Sequence, residues 1–175
     1  MPFIIALLGL IGAAYFWAQR ARNAAQITQE LSGVASDVMA AARRFGFRRR
    51  GAEHPVESLD DADVAIAGAA IAFLELGGLP HLEQQQGVVR SLQSRLAMSH
   101  EKAQEALILG RWLMTESGGA QPGFTRLVRK LAKMKGQAGF EPLMLVLRDE
   151  AEVAAGVLSA QQGEALDEVK LIYRL

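Results

Sequence analysis

The sequence predicts an all-α protein, with a single N-terminal transmembrane helix followed by a compact helical bundle. Residues 1–18 carry no charged side chain, and arginines follow at once. Beyond them, apolar residues recur at helical spacing, and glycines, prolines and capping residues separate the runs. No segment alternates with the period of a strand over a useful length. We therefore divide the chain into an anchor (1–19), a juxtamembrane helix with a basic linker (20–57) and a bundle of six or seven helices (58–175).

The N-terminal segment has the features of an uncleaved membrane anchor. Arg20 and Arg22 close it, and no Lys or Arg precedes it, whereas a cleavable signal peptide usually begins with one. Tyr15 and Trp17 suit the membrane–water interface and occupy the zone where a cleavage site needs small residues. A helix over 3–18 rises about 24 Å against roughly 30 Å of hydrocarbon, so arginine snorkelling and bilayer thinning must close the gap. A signal peptide and a buried soluble helix are the alternatives.

The flanking charges and small residues of the anchor predict its orientation and its contacts. Positive charge lies only on the C-terminal flank, which places the N-terminus outside the bacterial inner membrane and the globular domain in the cytoplasm. Gly9, Gly12 and Ala13 have the spacing that lets a second transmembrane helix approach closely. We expect contact there with a membrane-protein complex or a second copy, although Gly and Ala are also simply common in membrane spans.

Composition and motifs argue against an enzyme. The 175 residues have zero formal net charge and no cysteine, which excludes a disulfide framework, a thiol nucleophile and a thiolate metal site. The three histidines (His54, His81 and His100) are scattered, and no phosphate loop or Gly-x-Ser-x-Gly motif occurs. We expect no cofactor, no metal, no small-molecule substrate and no nucleic acid partner.

Two basic stretches are candidate contact surfaces. The linker combines arginines with phenylalanines, which suits anionic lipid head groups at about 1 kcal/mol per basic residue. Its candidate residues are Arg43, Arg44, Phe45, Phe47, Arg48, Arg49 and Arg50. A later helix carries a second basic face, predicted to meet an acidic partner or lipid, at Arg126, Arg129, Lys130 and Lys133. The alternative for both is an ordinary solvated surface, which is also our interpretation of the acidic run at 149–152.

The helix after the linker is predicted to lie at the centre of the bundle. Ser58 and Asp61 have the spacing of a capping box that opens a helix through about Leu76. Residues 64–74 are apolar nearly all round, which is typical of a buried helix, and they are too few to span a membrane. Gly77 then ends the helix together with the next glycine.

Further local signals place the remaining helices. Pro80 is suited to the first position of the next helix, and Ser99 is predicted to cap the third. Residues 118–123, rich in glycine, are predicted to form a loop. Ser159 and Gln162 form a capping box for the last helix.

Two turns echo each other about 78 residues apart in the sequence. Residues 76–80, Leu-Gly-Gly-Leu-Pro, precede the glutamines at 84–86, and residues 155–159, Ala-Gly-Val-Leu-Ser, precede the glutamines at 161–162. The repetition suggests two pseudo-twofold halves, or a chance similarity of two helix hairpins.

In this order of anchor, basic linker and helix pairs the chain resembles the TerB-like helical domain of membrane-anchored DjlA-type DnaJ proteins. The resemblance covers about Leu59 to Leu175 and rests on 76–80, 98–103 and 154–159. It implies a stress- or chaperone-linked module at the membrane. The family's two turns typically carry aspartate where this chain has Gly77 and Ala155, so the family's metal binding is not implied. The sequence also contains no J-domain.

Together these features favour a non-enzymatic single-pass membrane adaptor or accessory subunit. We expect it to dock a cytoplasmic helical domain onto an inner-membrane protein complex, with membrane lipids as further contacts. The alternatives are the stress- or chaperone-linked module that the resemblance implies and, less favoured, a hydrolase with an unfamiliar site.

Overall fold

A computed structural model describes residues 35–48, 50–153 and 157–174 of the chain. The predicted anchor and most of the juxtamembrane helix lie outside the described residues. In the described part every regular element is helical and none is a strand, which confirms the all-α class and the helical bundle. None of the described helices combines the length and the apolar character that crossing a membrane requires.

In the described part of the chain, six α-helices make up the bundle, and they belong to one compact unit, Val38–Leu175. In chain order they are α1 (Ala62–Leu76), α2 (Leu82–Leu96), α3 (His100–Glu116), α4 (Ala120–Lys135), α5 (Phe140–Val153) and α6 (Ala160–Tyr173). Two short 3₁₀ helices, Pro55–Ser58 and Gly136–Gly139, precede α1 and α5. Residues 38–44, which the sequence assigns to the juxtamembrane segment, are helical and belong to the same unit.

Helix α1 is the centre of the bundle, as its apolar sequence predicts. Every residue from Val64 to Leu74 is buried, and the helix packs most extensively against α4 and α3. Because apolar residues surround the whole helix, it can be covered by neighbours on all sides.

The N-terminus of α1 differs from the prediction. Asp61 caps the helix, and its Oδ1 accepts from the backbone N–H groups of Asp63 (2.9 Å) and Val64 (3.2 Å). Ser58 is instead buried in the first 3₁₀ helix, where its hydroxyl accepts from the backbone N–H of Arg50 at 3.0 Å. Asp61 immediately precedes the first helical residue, so its carboxylate is the nearer acceptor for the free N–H groups.

Helices α1 and α3 cross at a point where both carry glycine. A Cβ atom added to Gly110 would lie 2.6 Å from the Cα and the backbone nitrogen of Gly68. The two backbones therefore meet directly, which only the absence of both side chains allows.

The other helix starts are confirmed where the capping bonds are local. Ser99 accepts from the N–H of Lys102 at 3.2 Å, and Ser159 forms the predicted capping box with Gln162. Pro80 lies before α2 and does not start it, since His81 is the N-cap residue. The predicted 118–123 loop is shorter, because α4 begins at Ala120.

Candidate interaction site

An open cleft of about 370 Å³ lies at the end of the bundle where α1 ends and where α2 and α6 begin. One wall is the turn after α1, residues 77–79, and the other is the segment before α6, residues 157–159. The two echoing turns of the sequence therefore meet around a single cleft. We call this feature the end cleft.

Two side chains of the last helix fix the floor of the end cleft. Gln162 donates from Nε2 to the carbonyl oxygen of Phe73 at 3.0 Å, and Ser159 donates from Oγ to the carbonyl oxygen of Leu76 at 3.0 Å. Both carbonyls lie in the last turn of α1, where a helix leaves its acceptors without internal partners. The start of α6 is thereby bonded to the end of α1.

Gly77 leaves room for the side chain of Gln162. A Cβ atom at this position would lie 2.8 Å from Nε2 of Gln162. The glutamine amide therefore occupies the space into which a longer side chain at position 77 would point. Ala155, the other position at which the resemblance leads us to expect aspartate, lies outside the described residues. Within the described ranges, no three His, Cys, Asp or Glu side chains are grouped so that they could hold a metal ion.

The rim of the end cleft is apolar and exposed. Leu79 is 93% exposed and Val157 is 79% exposed, and Leu82, next to the lining residue His81, is 71% exposed. These are three of the six large apolar side chains that the described part of the chain exposes. Exposed turns normally carry polar residues, so Leu and Val directly after the glycines of both turns were the sequence signal for this surface.

Much of the basic linker is engaged with the bundle. Arg44 lies 2.7 Å from the Glu101 carboxylate and 2.5 Å from that of Glu105, both on α3. The hydrogen bond with Glu101 raises the pKa of Arg44 above its ordinary value. Arg50 pairs with Asp60 at 2.5 Å. These ion pairs hold two of the predicted lipid-contact arginines against the protein itself.

The two phenylalanines of the linker are half-buried against the bundle. The ring of Phe47 meets that of Trp112 edge-on, with centroids 5.8 Å apart, and the Lys102 ammonium lies 5.6 Å from the ring centroid of Phe45. Arg43 and Arg48 are exposed. The remaining predicted membrane contacts lie outside the described residues: Gly9, Gly12, Ala13, Tyr15, Trp17, Arg20, Arg22 and Arg49.

The basic face of α4 differs from the prediction at one position. Lys130 is only 8% exposed, and its Nζ donates to the backbone carbonyl of Glu57 at 2.6 Å, so it is not a surface cation. The carbonyl belongs to the first 3₁₀ helix, which packs on α4 and needs a donor there. Arg126 and Arg129 approach carboxylates of their own chain at 3.9 Å, and Lys133 is exposed.

The acidic run on α5 also differs from the solvated face that the sequence predicts. Glu150 is 1% exposed, and neither of its carboxyl oxygens has a hydrogen-bond partner. The pKa of Glu150 is raised to about 8, mainly by burial and then by the charge of Asp149, while the charge of Arg90 on α2 lowers it in part. The spacing from Leu143 and Val146 places position 150 on the buried stripe, and this pattern was visible in the sequence.

Asp149, which precedes Glu150 in the sequence, lies in an environment that favours its charged form. Arg95 of α2 reaches both carboxylate oxygens, at 2.7 and 2.9 Å, and the hydroxyl of Ser91 donates at 2.6 Å. The hydrogen bond from Arg95 lowers the pKa of Asp149, so this group is ionised and joins α2 to α5.

The described surfaces thus include the end cleft with exposed apolar side chains at its rim, a linker held against α3 and a basic face that is partly engaged with its own chain. No protein-family model, curated protein or solved structure matches the chain significantly.

Proposed function

We propose that the protein is a non-enzymatic single-pass membrane adaptor or accessory subunit that docks its helical domain onto an inner-membrane protein complex. The apolar rim of the end cleft carries this proposal. Fully burying a leucine or valine side chain against a partner contributes roughly 1.5–3 kcal/mol. Leu79 and Val157 line the cleft and are largely exposed, and Leu82, which follows the lining residue His81, is also exposed. Exposed apolar side chains at a concave surface are typical of a protein–protein contact.

The predicted anchor supports the same function by fixing where the cleft is. Only residues 20–37 separate the predicted span from the compact unit that begins at Val38. Such a short connection raises the effective concentration of the domain for proteins of the same membrane. Lipid contact is proposed for the exposed Arg43 and Arg48, and a partner surface for Arg126, Arg129 and Lys133.

Purification of the full-length protein in mild detergent at native expression tests the adaptor function. We expect a defined set of membrane proteins to co-purify in constant ratio. A variant that lacks residues 1–19 is the matched control and should lose most of this set. Recovery of the protein alone as a monomer would contradict the proposal.

A second candidate is the stress- or chaperone-linked module that the TerB and DjlA resemblance implies. The observation that favours it is the meeting of the two echoing turns around one cleft, since these turns are the segments that carry the resemblance. The same purification separates the two functions. Chaperones or stress proteins among the stoichiometric partners would support the second, and a partner set without them would remove it.

A further inference from the structure

We propose that the last turn of α5 is a proton-controlled contact, which opens away from α2 when Glu150 releases its proton, while Asp149 stays bonded to α2 as the fixed point. The contact is closed in acid and opens more often as the pH rises through neutrality. This conformational device goes beyond the proposed adaptor function and does not depend on it.

The carboxyl group of Glu150 is enclosed between α5 and the helices that pack on it. The residue is 1% exposed, and neither carboxyl oxygen has a hydrogen-bond partner. Burying a charge without a partner costs far more free energy than burying a neutral acid, so the closed contact favours the protonated form. The ionised form is favoured where water reaches the carboxylate, which requires this turn to move away from α2.

Two charged groups act on Glu150 from nearby. Asp149 precedes it on α5, and its charge raises the pKa of Glu150 after the larger effect of burial. Arg90 on α2 lowers that pKa in part. The Arg90 side chain is exposed, so water screens its charge, and burial remains the dominant effect.

The other elements that pack on α5 bring no further charge to this position. Helix α1 contains two acids, and both face basic groups of α3. Asp63 lies 3.3 Å from Lys102, and Glu75 lies 3.9 Å from Arg111. The second 3₁₀ helix, Gly136–Gly139, has no titratable side chain. The state of the contact therefore depends on Glu150 itself.

Asp149 holds the preceding residue of α5 in place. Arg95 donates to both of its carboxylate oxygens, at 2.7 and 2.9 Å, and Ser91 donates at 2.6 Å. The hydrogen bond from Arg95 lowers the pKa of Asp149, so Asp149 stays ionised throughout the neutral range. A two-point pair of this kind is strong and directional. Opening is therefore confined to the residues that follow Asp149.

Proton release and opening are linked in a direction that the two pKa values determine. The pKa of Glu150 is about 8 in the closed contact, and its ordinary value in water is 4.5. Between these values the closed form keeps a proton that the open form has lost. The open population therefore rises about tenfold for each pH unit in this range, and it levels off outside it.

Hydrogen exchange of the full-length protein in mild detergent at pH 5.5, 6.5 and 7.5 tests the proposal, with rates corrected for the intrinsic pH dependence of exchange. We expect the protection of amides 150–153 to fall about tenfold per pH unit. A low concentration of urea should leave it unchanged, because a local opening exposes little surface. Amides 64–74 of the central helix should be more protected and should lose protection in urea, because they exchange through global unfolding.

Variants of Glu150 show whether its proton controls the opening. Glu150→Gln keeps the shape of the side chain and cannot release a proton, so protection at 150–153 should not depend on pH. Glu150→Leu should behave likewise and replaces the first variant if that one does not fold. Glu141→Gln, at an exposed position of the same helix, should match wild type.

Three results would overturn the proposal. The first is protection at 150–153 that does not depend on pH in the wild type. The second is the same pH dependence in the Glu150 variants as in the wild type. The third is protection at 150–153 equal to that of amides 64–74 in size and urea dependence, since Glu150 would then reach water only when the whole bundle unfolds.

Discussion

Glu150 shows how strongly a single residue of this fold departs from its ordinary chemistry. Its carboxyl group is buried between α5 and α2 without a hydrogen-bond partner, and the charged groups that face it are Asp149 and Arg90. A carboxylate in such a site is costly, so the protonated form is favoured and the pKa rises to about 8. At neutral pH the folded protein therefore holds this group as a neutral acid.

Glu150→Gln should change the pH dependence of stability. The folded protein keeps the proton up to about pH 8, whereas the unfolded chain releases it near the ordinary value of 4.5. Between these values the unfolded chain binds fewer protons, so the free energy of unfolding of the wild type falls as pH rises. Because the variant lacks this titration, its stability relative to wild type should increase by about 1.4 kcal/mol per pH unit.

Urea unfolding of residues 38–175 at pH 5, 6, 7 and 8 measures this difference. Glu141→Gln is the control, since Glu141 is exposed on the same helix. A difference between Glu150→Gln and wild type that stays constant over this range would show that Glu150 is not protonated in the folded state.

Residue-scale predictions from the sequence were right where the bonds are local. Ser99 and Ser159 cap their helices through N–H groups three residues away, a distance that sequence spacing encodes. Ser58 and Lys130 were assigned wrongly because their partners lie 8 and 73 residues away. Such bonds depend on how the elements pack, and no local pattern contains that information.

At the scale of elements, the α1–α3 crossing is the most demanding contact. Gly110→Ala should destabilise the bundle by at least about 2 kcal/mol, because the added methyl would lie 2.6 Å from the backbone of Gly68 and force the helices apart. Gly163→Ala is the matched control, since nothing lies within 4 Å of its Cβ position. Alanine there should stabilise α6 by up to about 1 kcal/mol.

Thermal unfolding followed by circular dichroism compares these two glycine variants. We expect the midpoint to fall for Gly110→Ala and to stay or rise for Gly163→Ala. Equal midpoints for the two variants would mean that the helices do not approach as closely as described.

The packing of the linker on α3 is a second contact between elements. Phe47→Ala should lower stability by about 1 kcal/mol through loss of the edge-on contact with Trp112. In a fragment of residues 38–175, Trp112 is the only tryptophan. Its fluorescence spectrum should therefore shift in the variant, because the indole ring becomes more exposed to water. Arg48→Ala, at an exposed position, should leave both quantities unchanged. An unchanged spectrum for Phe47→Ala would show that the linker is not held there.

At the scale of the whole molecule, the folded unit begins earlier than the sequence boundary at 58. Ala41 and Val56 are fully buried in the core, so residues 38–57 are part of the folding unit. A fragment of residues 38–175 should therefore unfold in one cooperative transition, whereas a fragment of 58–175 should melt at a clearly lower temperature. Calorimetry compares the melting temperatures of the two fragments. Equal melting temperatures would show that residues 38–57 are a linker that does not contribute to the folded unit.

The sequence predicts the central helix of the architecture but not the end cleft. The all-apolar run at 64–74 identified the central helix, since such a surface must be covered on every side. The end cleft was not predictable, because it requires residues 77–79 and 157–159 to meet, and their sequence positions leave the distance between them open. The echo between the two turns was visible, but its consequence depends on tertiary packing.

The bonds from Gln162 and Ser159 to the end of α1 also have a consequence for biosynthesis. They join residues that are 89 and 83 positions apart. The two carbonyls of α1 therefore lack these hydrogen-bond donors until α6 has left the ribosome. Since domains fold as units while the N-terminal part is made first, a nascent chain carries an incomplete cleft until α6 has been synthesised. A truncated product that lacks α6 would therefore also lack the complete cleft.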